Sequence, residues 1–422
     1  MGVRRNLLSE GRKQSCTARC AGLFPGNFTT NCFSKIILFI VTVFYWFSLY
    51  TYVPILPSYA QHLGASYSMV GVIVGSYGLT QLLIRIPVGI ISDVLGHHKL
   101  FIIGGICLAV FSALGMWLFA SVLALLVLRL FSGVAATAWA DYTILYVSYF
   151  PGKDMAKAIG YIAAANALGQ VMGMLAGGYI AQRMDVTAPF LLGAAGGGVG
   201  LILSLWVKEK QFQPRQVTIM SIVELLRNTR LLRVSGLGIV LQAVICITVF
   251  GFSVVVAQGL GASDFELGLL SAICIVPSAI SSTLSGTVFS KRFGERKTLG
   301  GAFFLLAVSC FLVPFVNRLP LLYVTQAVNG FCMGLAMPLL MGLSIKNFPD
   351  ERRATAMSIF QAIYGIGMFG GPVLAGVVSN HFGLAWGFWI TACISLIGVI
   401  LVFWQGYLSL DNDEPCSGFF AA

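Results

Sequence analysis

Apolar residues along this chain gather into long runs, and the polar residues between them gather into short clusters rich in Gly, Pro, Asp, Lys and Arg. The run FSKIILFIVTVFYWFSLYTYVPIL near one end and LAWGFWITACISLIGVILVFWQGYL near the other match or exceed the roughly 20 apolar residues that carry a helix across a bilayer. Read this way, the pattern predicts twelve membrane-spanning helices, over residues 34–55, 68–91, 100–119, 122–147, 157–181, 188–207, 234–256, 266–289, 299–316, 320–345, 355–379 and 384–408. The expected fold class is an all-α membrane protein.

Composition agrees, since 58% hydrophobic residues, 10% charged residues and a mean hydropathy of +0.88 exclude an ordinary soluble domain. A net charge of +11 spread over a soluble surface would suggest nucleic acid or an acidic partner. Here the placement decides. With the N-terminus in the cytoplasm, every Lys and Arg falls in the N-terminal tail, in a cytoplasmic loop or, as Lys35 and Lys157 do, at the cytoplasmic end of a span, except Arg183 and Arg318 outside and Arg85 and Arg129 deeper within spans. The basic charge therefore orients the chain in the cell membrane with both termini cytoplasmic, and no nucleic-acid partner is needed.

An internal repeat organises the spans. AQHLGAS at residues 60–66 returns as AQGLGAS at residues 257–263, in the equivalent outside loop. The same offset, shifted by at most one residue, lays Gly71 over Gly268, Gly96 over Gly294, Lys99 over Lys297 and Gly133 over Gly330. GQVMGMLAGG from Gly169 lies over GMFGGPVLAG from Gly367 without a gap. Two parallel repeats of six helices follow, because six spans return the chain to the side it started from. The expected organisation is a basic cytoplasmic tail at 1–32, a six-helix bundle at 33–207, a cytoplasmic linker at 208–233, a second bundle at 234–408 and a short cytoplasmic tail at 409–422. Within the linker, VTIMSIVELLRNTRLLRV has near-helical apolar spacing with basic residues between, which suits a helix lying at the membrane interface.

At this point the residues resemble the major facilitator superfamily of secondary transporters. GIISDVLGHHKL, residues 89–100, is similar to the family signature between its second and third helices, with Gly89, Asp93, Gly96 and Lys99 in place. Val94 stands where a basic residue is usual, and His97 and His98 stand where arginine is preferred. The resemblance implies a cytoplasmic gating role for Gly89, Asp93, Gly96, His97 and Lys99, made softer or pH-dependent by the histidines. LRLFSGVAA around Arg129 and GQVMGMLAGG resemble the fourth- and fifth-helix motifs, the second of them associated with exporters that run as antiporters, although Met174 replaces its usual proline. The branch resembled is the twelve-helix drug/proton antiporters. It implies a proton-coupled efflux carrier, probed against two alternatives: a proton-coupled importer, and a non-transporting receptor or scaffold. The retained polar groups along the spans and the short tails weigh against a receptor.

The search for enzyme chemistry finds none. GIGMFG from Gly365 fits a dinucleotide fingerprint only on paper, because no strand precedes it, and PGKD at 151–154 lacks the other residues of a phosphate-binding loop. His97 and His98 are neighbours and so diverge on a helix, a poor metal pair. Cys16 and Cys20 have no matching Cys/His pair, and the ten cysteines lie in spans or cytoplasmic tails, where no disulfide framework follows. No secretion signal or myristoylation site heads the chain, and NFT at Asn27 matches a glycosylation acceptor on the wrong side of the membrane. No cofactor or metal is expected. Without an ATP site, uphill movement would draw on an ion gradient, with the proton as the expected coupling ion. The chain is expected to act as a monomer.

Substrate chemistry is then sought among polar groups kept inside spans despite their cost. The candidates for substrate binding are Arg129, Asn166, Gln170, Gln242, Gln326, Asn329 and Gln361, with Tyr45, Trp46 and Tyr364 as aromatic walls. The repeat offset sets Gln326 opposite Arg129, so one half offers a cation and the other an amide at matching depth, suiting a small molecule with one anionic or strongly polar end. Asp141 is the carboxylate lying well inside a span, and helical rise puts it and Arg85 both roughly 9 Å inside the cytoplasmic end. The expectation is a buried Arg85–Asp141 ion pair. Two alternatives stay open: both side chains facing a water-filled cavity, or Asp141 carrying the coupling proton.

Overall fold

The computed structural model describes residues 26–151, 154–209 and 224–404. The interfacial helix expected within 208–233 lies mostly outside the described residues, as do nearly all of the N-terminal tail and the C-terminal tail. The first half runs through α1 (Gly26–Tyr50), α2 (Leu56–His62), α3 (Tyr67–Leu95), α4 (His98–Leu118), α5 (Val122–Ala136), α6 (Trp139–Ser148), α7 (Met155–Arg183) and α8 (Ala188–Ser204). The second comprises α9 (Thr229–Ile247), α10 (Ser253–Gly259), α11 (Asp264–Leu284), α12 (Ser290–Phe293), α13 (Glu295–Leu312), α14 (Leu319–Ile345), α15 (Asp350–Phe382) and α16 (Leu384–Phe403). Among the described residues, eleven continuous or near-continuous helical stretches are long and apolar enough to cross a membrane, and α8, at 17 residues, is a shorter twelfth.

Three of the interruptions within expected spans bear on the site. The first span stops at Tyr50, and the chain turns through residues 51–55 before α2, because Pro54 offers no N–H and Pro57 fits the opening turn of a new helix. The seventh relaxes into a π-helical turn over Thr248–Phe252, with Gly251 at φ −123° and ψ −105°. The fourth breaks at Thr137 and Ala138, whose N–H groups turn back to the carbonyls of Val134 and Ala135, so Asp141 falls in the first turn of α6. That position favours a carboxylate, since the N-terminal N–H groups carry partial positive charge.

The repeated heptad now has a physical reason. α2 and α10 occupy the same register of the two halves and end alike, in Gly64 at φ +89° and Gly261 at φ +83°. Each glycine lets the following N–H close on a carbonyl five residues back, Ala65 on Ala60 at 2.9 Å and Ala262 on Ala257 at 3.0 Å. The serine that follows restarts the chain as a helix: Ser66 Oγ accepts from the Met69 N–H, and Ser263 Oγ from that of Glu266. A helix stop, a left-handed glycine and a helix start are thus written twice.

The halves meet along two helix pairs, α3 with α15 and α7 with α11. Backbones touch there: a Cβ added at Gly71 would sit 2.1 Å from the Pro372 carbonyl oxygen, and one at Gly268 would sit 2.4 Å from that of Met174. Both seams start at the end of the bundle that holds Gly64 and Gly261, and the α3–α15 seam runs on as far as Leu82, against which Gly365 packs. At the opposite end, α3, α6 and α15 line a cleft of about 590 Å³ of empty space, its open mouth included. The stripe Gly169, Gly173 and Gly177 packs on the α1 backbone inside the first half, close approach being the glue available to helices in lipid.

Candidate substrate-binding site

Arg129 on α5 is 5% exposed, and its guanidinium carbon lies 4.5 Å from the ring centroid of Tyr77 and 5.9 Å from that of Tyr52. Its Nη1 donates to Ser132 Oγ at 3.4 Å, while its Nε has no partner. None of the ion pairs among the described residues includes Arg129. A cation in this setting is held by ring faces and is short of hydrogen-bond acceptors, which is what a carboxylate or phosphate group supplies. Cys246 on α9 and Tyr50 on α1 lie within electrostatic reach of it. Tyr50 in turn meets Phe250 of the π-helical turn edge to face at 5.8 Å. The Arg129 cage therefore sits where the two halves face each other.

On the second half, Gln326 Nε2 donates to Ser253 Oγ at 2.7 Å, and its Oε1 is unpartnered. Asn329, one helical turn along α14, is 2% exposed with neither amide atom partnered. Buried amides left open in this way lose free energy until a ligand or water fills them. The matched depth expected for Arg129 and Gln326 follows from the repeat; Tyr52, Tyr77 and Ser253 are the partners that sequence reasoning missed.

The expected Arg85–Asp141 ion pair is not formed. Both residues line the cleft, but Arg85 Nη1 donates across the halves to Tyr364 OH at 3.3 Å. Asp141 Oδ1 instead lies 2.8 Å from His98 Nδ1 and accepts a short hydrogen bond from Ser92 Oγ, which is itself 2.8 Å from His98 Nδ1. Sharing one cleft does not make them partners. Gly96 ends α3 at φ +65° and turns the chain so that His98 points inward, 2% exposed, while His97 stays outside.

The remaining candidates separate. Asn166 and Gln170 are half-buried and hydrogen-bonded to each other at 2.5 Å; Gln242 and Gln361 are half-buried. Tyr45 is a packing residue, stacked on Tyr142 at 4.7 Å with its OH donating to the Ala135 carbonyl, and Trp46 packs edge to face on Trp139. Of the signature residues, Gly89 and Asp93 line the cleft. His97 and Lys99 reach Glu209 and the Leu205 carbonyl, in the stretch that follows α8.

A bundle of two six-helix repeats, seamed at one end and carrying a buried cation and open amides between them, is built as a membrane carrier. The chain belongs to the Major Facilitator Superfamily, whose sequence profile matches residues 38–256 and 235–415. An MFS-type transporter of Methanocaldococcus jannaschii is 24% identical over 363 residues, covering 82% of this chain and 92% of that one. The multidrug resistance protein MdtG of Escherichia fergusonii is 23% identical over 283 residues, covering 65% and 69%. Among solved structures, a bacterial homologue of the human lysosomal transporter Spinster, inward-facing and unoccupied, superposes with a TM-score of 0.73 at 17% identity, covering 90% and 97%. The chain is thus a multi-pass membrane transporter.

Proposed function

We propose that this chain is a proton-coupled secondary transporter that exports a small molecule by alternating access, gripping an anionic group of that molecule at Arg129. The observation that carries the reading is the Arg129 guanidinium, buried between Tyr52 and Tyr77 without a carboxylate partner among the described residues. A buried lone cation is costly in lipid and is kept for binding or charge relay. The open amides of Gln326 and Asn329 supply the second grip, suited to hydroxyl, amide or heterocyclic groups. Tyr77 lies within electrostatic reach of both Arg129 and Arg85, and Tyr45 within reach of both Arg85 and Asp141, so the substrate grip and the cleft share one chain of polar groups. The likeness to MdtG supports the outward direction. The basic loops support a cell-membrane location with cytoplasmic termini. The arrangement asks for no second copy, and the chain is read as a monomer.

The experiment compares metabolites in cells with and without the protein, then follows the differing compounds into membrane vesicles under an imposed pH gradient. Small anionic compounds are expected to build up inside cells lacking the protein and to be moved by vesicles containing it. Compounds that are all neutral or cationic would contradict the reading.

A further inference from the structure

His98 is the one buried histidine of four; His62, His97 and His381 are exposed. Its imidazole and the Asp141 carboxylate form a pair at 2.8 Å with side chains only 3% and 2% exposed. Ser92 touches both members. The three residues come from the end of α3, the start of α4 and the start of α6, so the cluster ties together three helices of the first half. Ser92 and Asp141 also line the cleft, whose far wall is Thr355, Ser358 and Ile359 of α15 in the second half. A titratable pair thus sits behind the surface where one half faces the other.

We propose that His98 and Asp141 together are the site at which the chain takes up its coupling proton, with Ser92 holding the carboxylate in place; the proposal rests on the proton-coupled reading given above. Imidazole is the side chain whose charge ordinarily changes between pH 5 and 8. With Nδ1 against the carboxylate, the pair carries a net charge of −1 while the imidazole is neutral. One proton, taken from water in the cleft, converts it to an imidazolium–carboxylate pair of net charge zero. No bond other than that to the proton is made or broken. The step removes one negative charge from the cleft wall and strengthens the hold of α4 on α6, because a full positive charge then faces the carboxylate across the same hydrogen bond.

The neighbouring charges are consistent with this role. From α3, Arg85 and Asp93 line the same cleft. From α1, Tyr45 lies within electrostatic reach of Asp141. From α6 itself, Tyr142 stacks on Tyr45, and Tyr146 packs on Phe150 away from the pair. At the start of α4, His97 is turned to Glu209 and Lys99 Nζ donates to the Leu205 carbonyl. On α7, Lys157 pairs with Asp154 on the surface and Tyr161 is exposed. The cleft-lining residues of α15 bring no titratable group. His98 and Asp141 are therefore the pair buried together, while the cation beside them, Arg85, is bonded to Tyr364.

The test needs no substrate, so it can fail while anion transport stands, and anion transport can fail while it stands. The full-length protein in lipid nanodiscs is titrated from pH 5 to 8 by peptide-resolved histidine hydrogen exchange, with the three exposed histidines as references. His98 is expected to titrate within that range in the wild type, and Asp141→Asn to lower its protonated share at pH 6 about tenfold without moving the references. A wild-type His98 that does not titrate there overturns the proposal, whatever the variant does. The second arm places a probe on the opposite wall as Thr355→Cys and follows its labelling by a soluble maleimide at pH 8 and pH 5.5, each rate divided by that of a free model thiol at the same pH because the thiolate is the reacting species. A change of about threefold or more in that ratio is expected with His98 present and none with His98→Gln. The same pH response in both backgrounds overturns the proposal.

Discussion

Asn329 shows how far a single residue can be read. An amide inside an apolar span is visible in the sequence because burying it costs free energy, and Arg129 and Gln326 are visible for the same reason. The structure adds that neither Asn329 amide atom has a partner. Unpaired buried polar atoms cost about 1–3 kcal/mol each. Asn329→Leu, close in volume, is therefore expected to raise the thermal midpoint of the purified protein by several degrees while cutting transport severely. A variant that is less stable, or one that transports normally, would remove Asn329 from the site. His98 was not legible in this way. Two adjacent histidines follow a glycine whose positive φ decides which of them turns inward, and helical periodicity carries no such information. The partner of Asp141 was misassigned for the same reason: depth follows from counting residues, but side-chain direction follows from how the helices rotate and where they break.

Among the elements, the repeat was the most legible feature and the breaks within spans the least. Seven residues written twice placed α2 and α10 in one register and matched their glycine ends, because a left-handed stop and a serine restart admit few residue types. The break between α5 and α6 has no proline or glycine to announce it; Thr137 and Ala138 turn there under tertiary contacts, with Gly105 of α4 pressed against Ala138. The parallel arrangement makes a direct prediction. Cysteines at Gly64 and at Gly261 are both expected to be labelled by an impermeant thiol reagent added outside intact cells. Labelling of one position alone would contradict two parallel halves.

For the molecule as a whole, the closed seams at one end and the cleft at the other describe one state of a cycle in which the seams have to part. Carbonyl oxygens 2.1 Å and 2.4 Å from the Cβ positions of Gly71 and Gly268 cannot give way as a flexible side chain would. Gly71→Leu is therefore expected to destabilise this state and populate one open at the seam end. Cys246, buried beside the Arg129 cage, reports it: its labelling by an impermeant thiol reagent added outside should rise at least several-fold in Gly71→Leu over the wild type. Unchanged labelling in correctly inserted protein would mean that the seam is not the gate. The central claim is the anion grip at Arg129, and the most direct measurement is pH-driven transport into proteoliposomes at equal protein content, comparing wild type with Arg129→Lys and Arg129→Gln. Lysine keeps the charge but loses the planar fork of donors, so transport should fall and the half-saturating concentration should rise. Glutamine removes the charge, and transport should be lost. Full transport by Arg129→Gln would contradict the account.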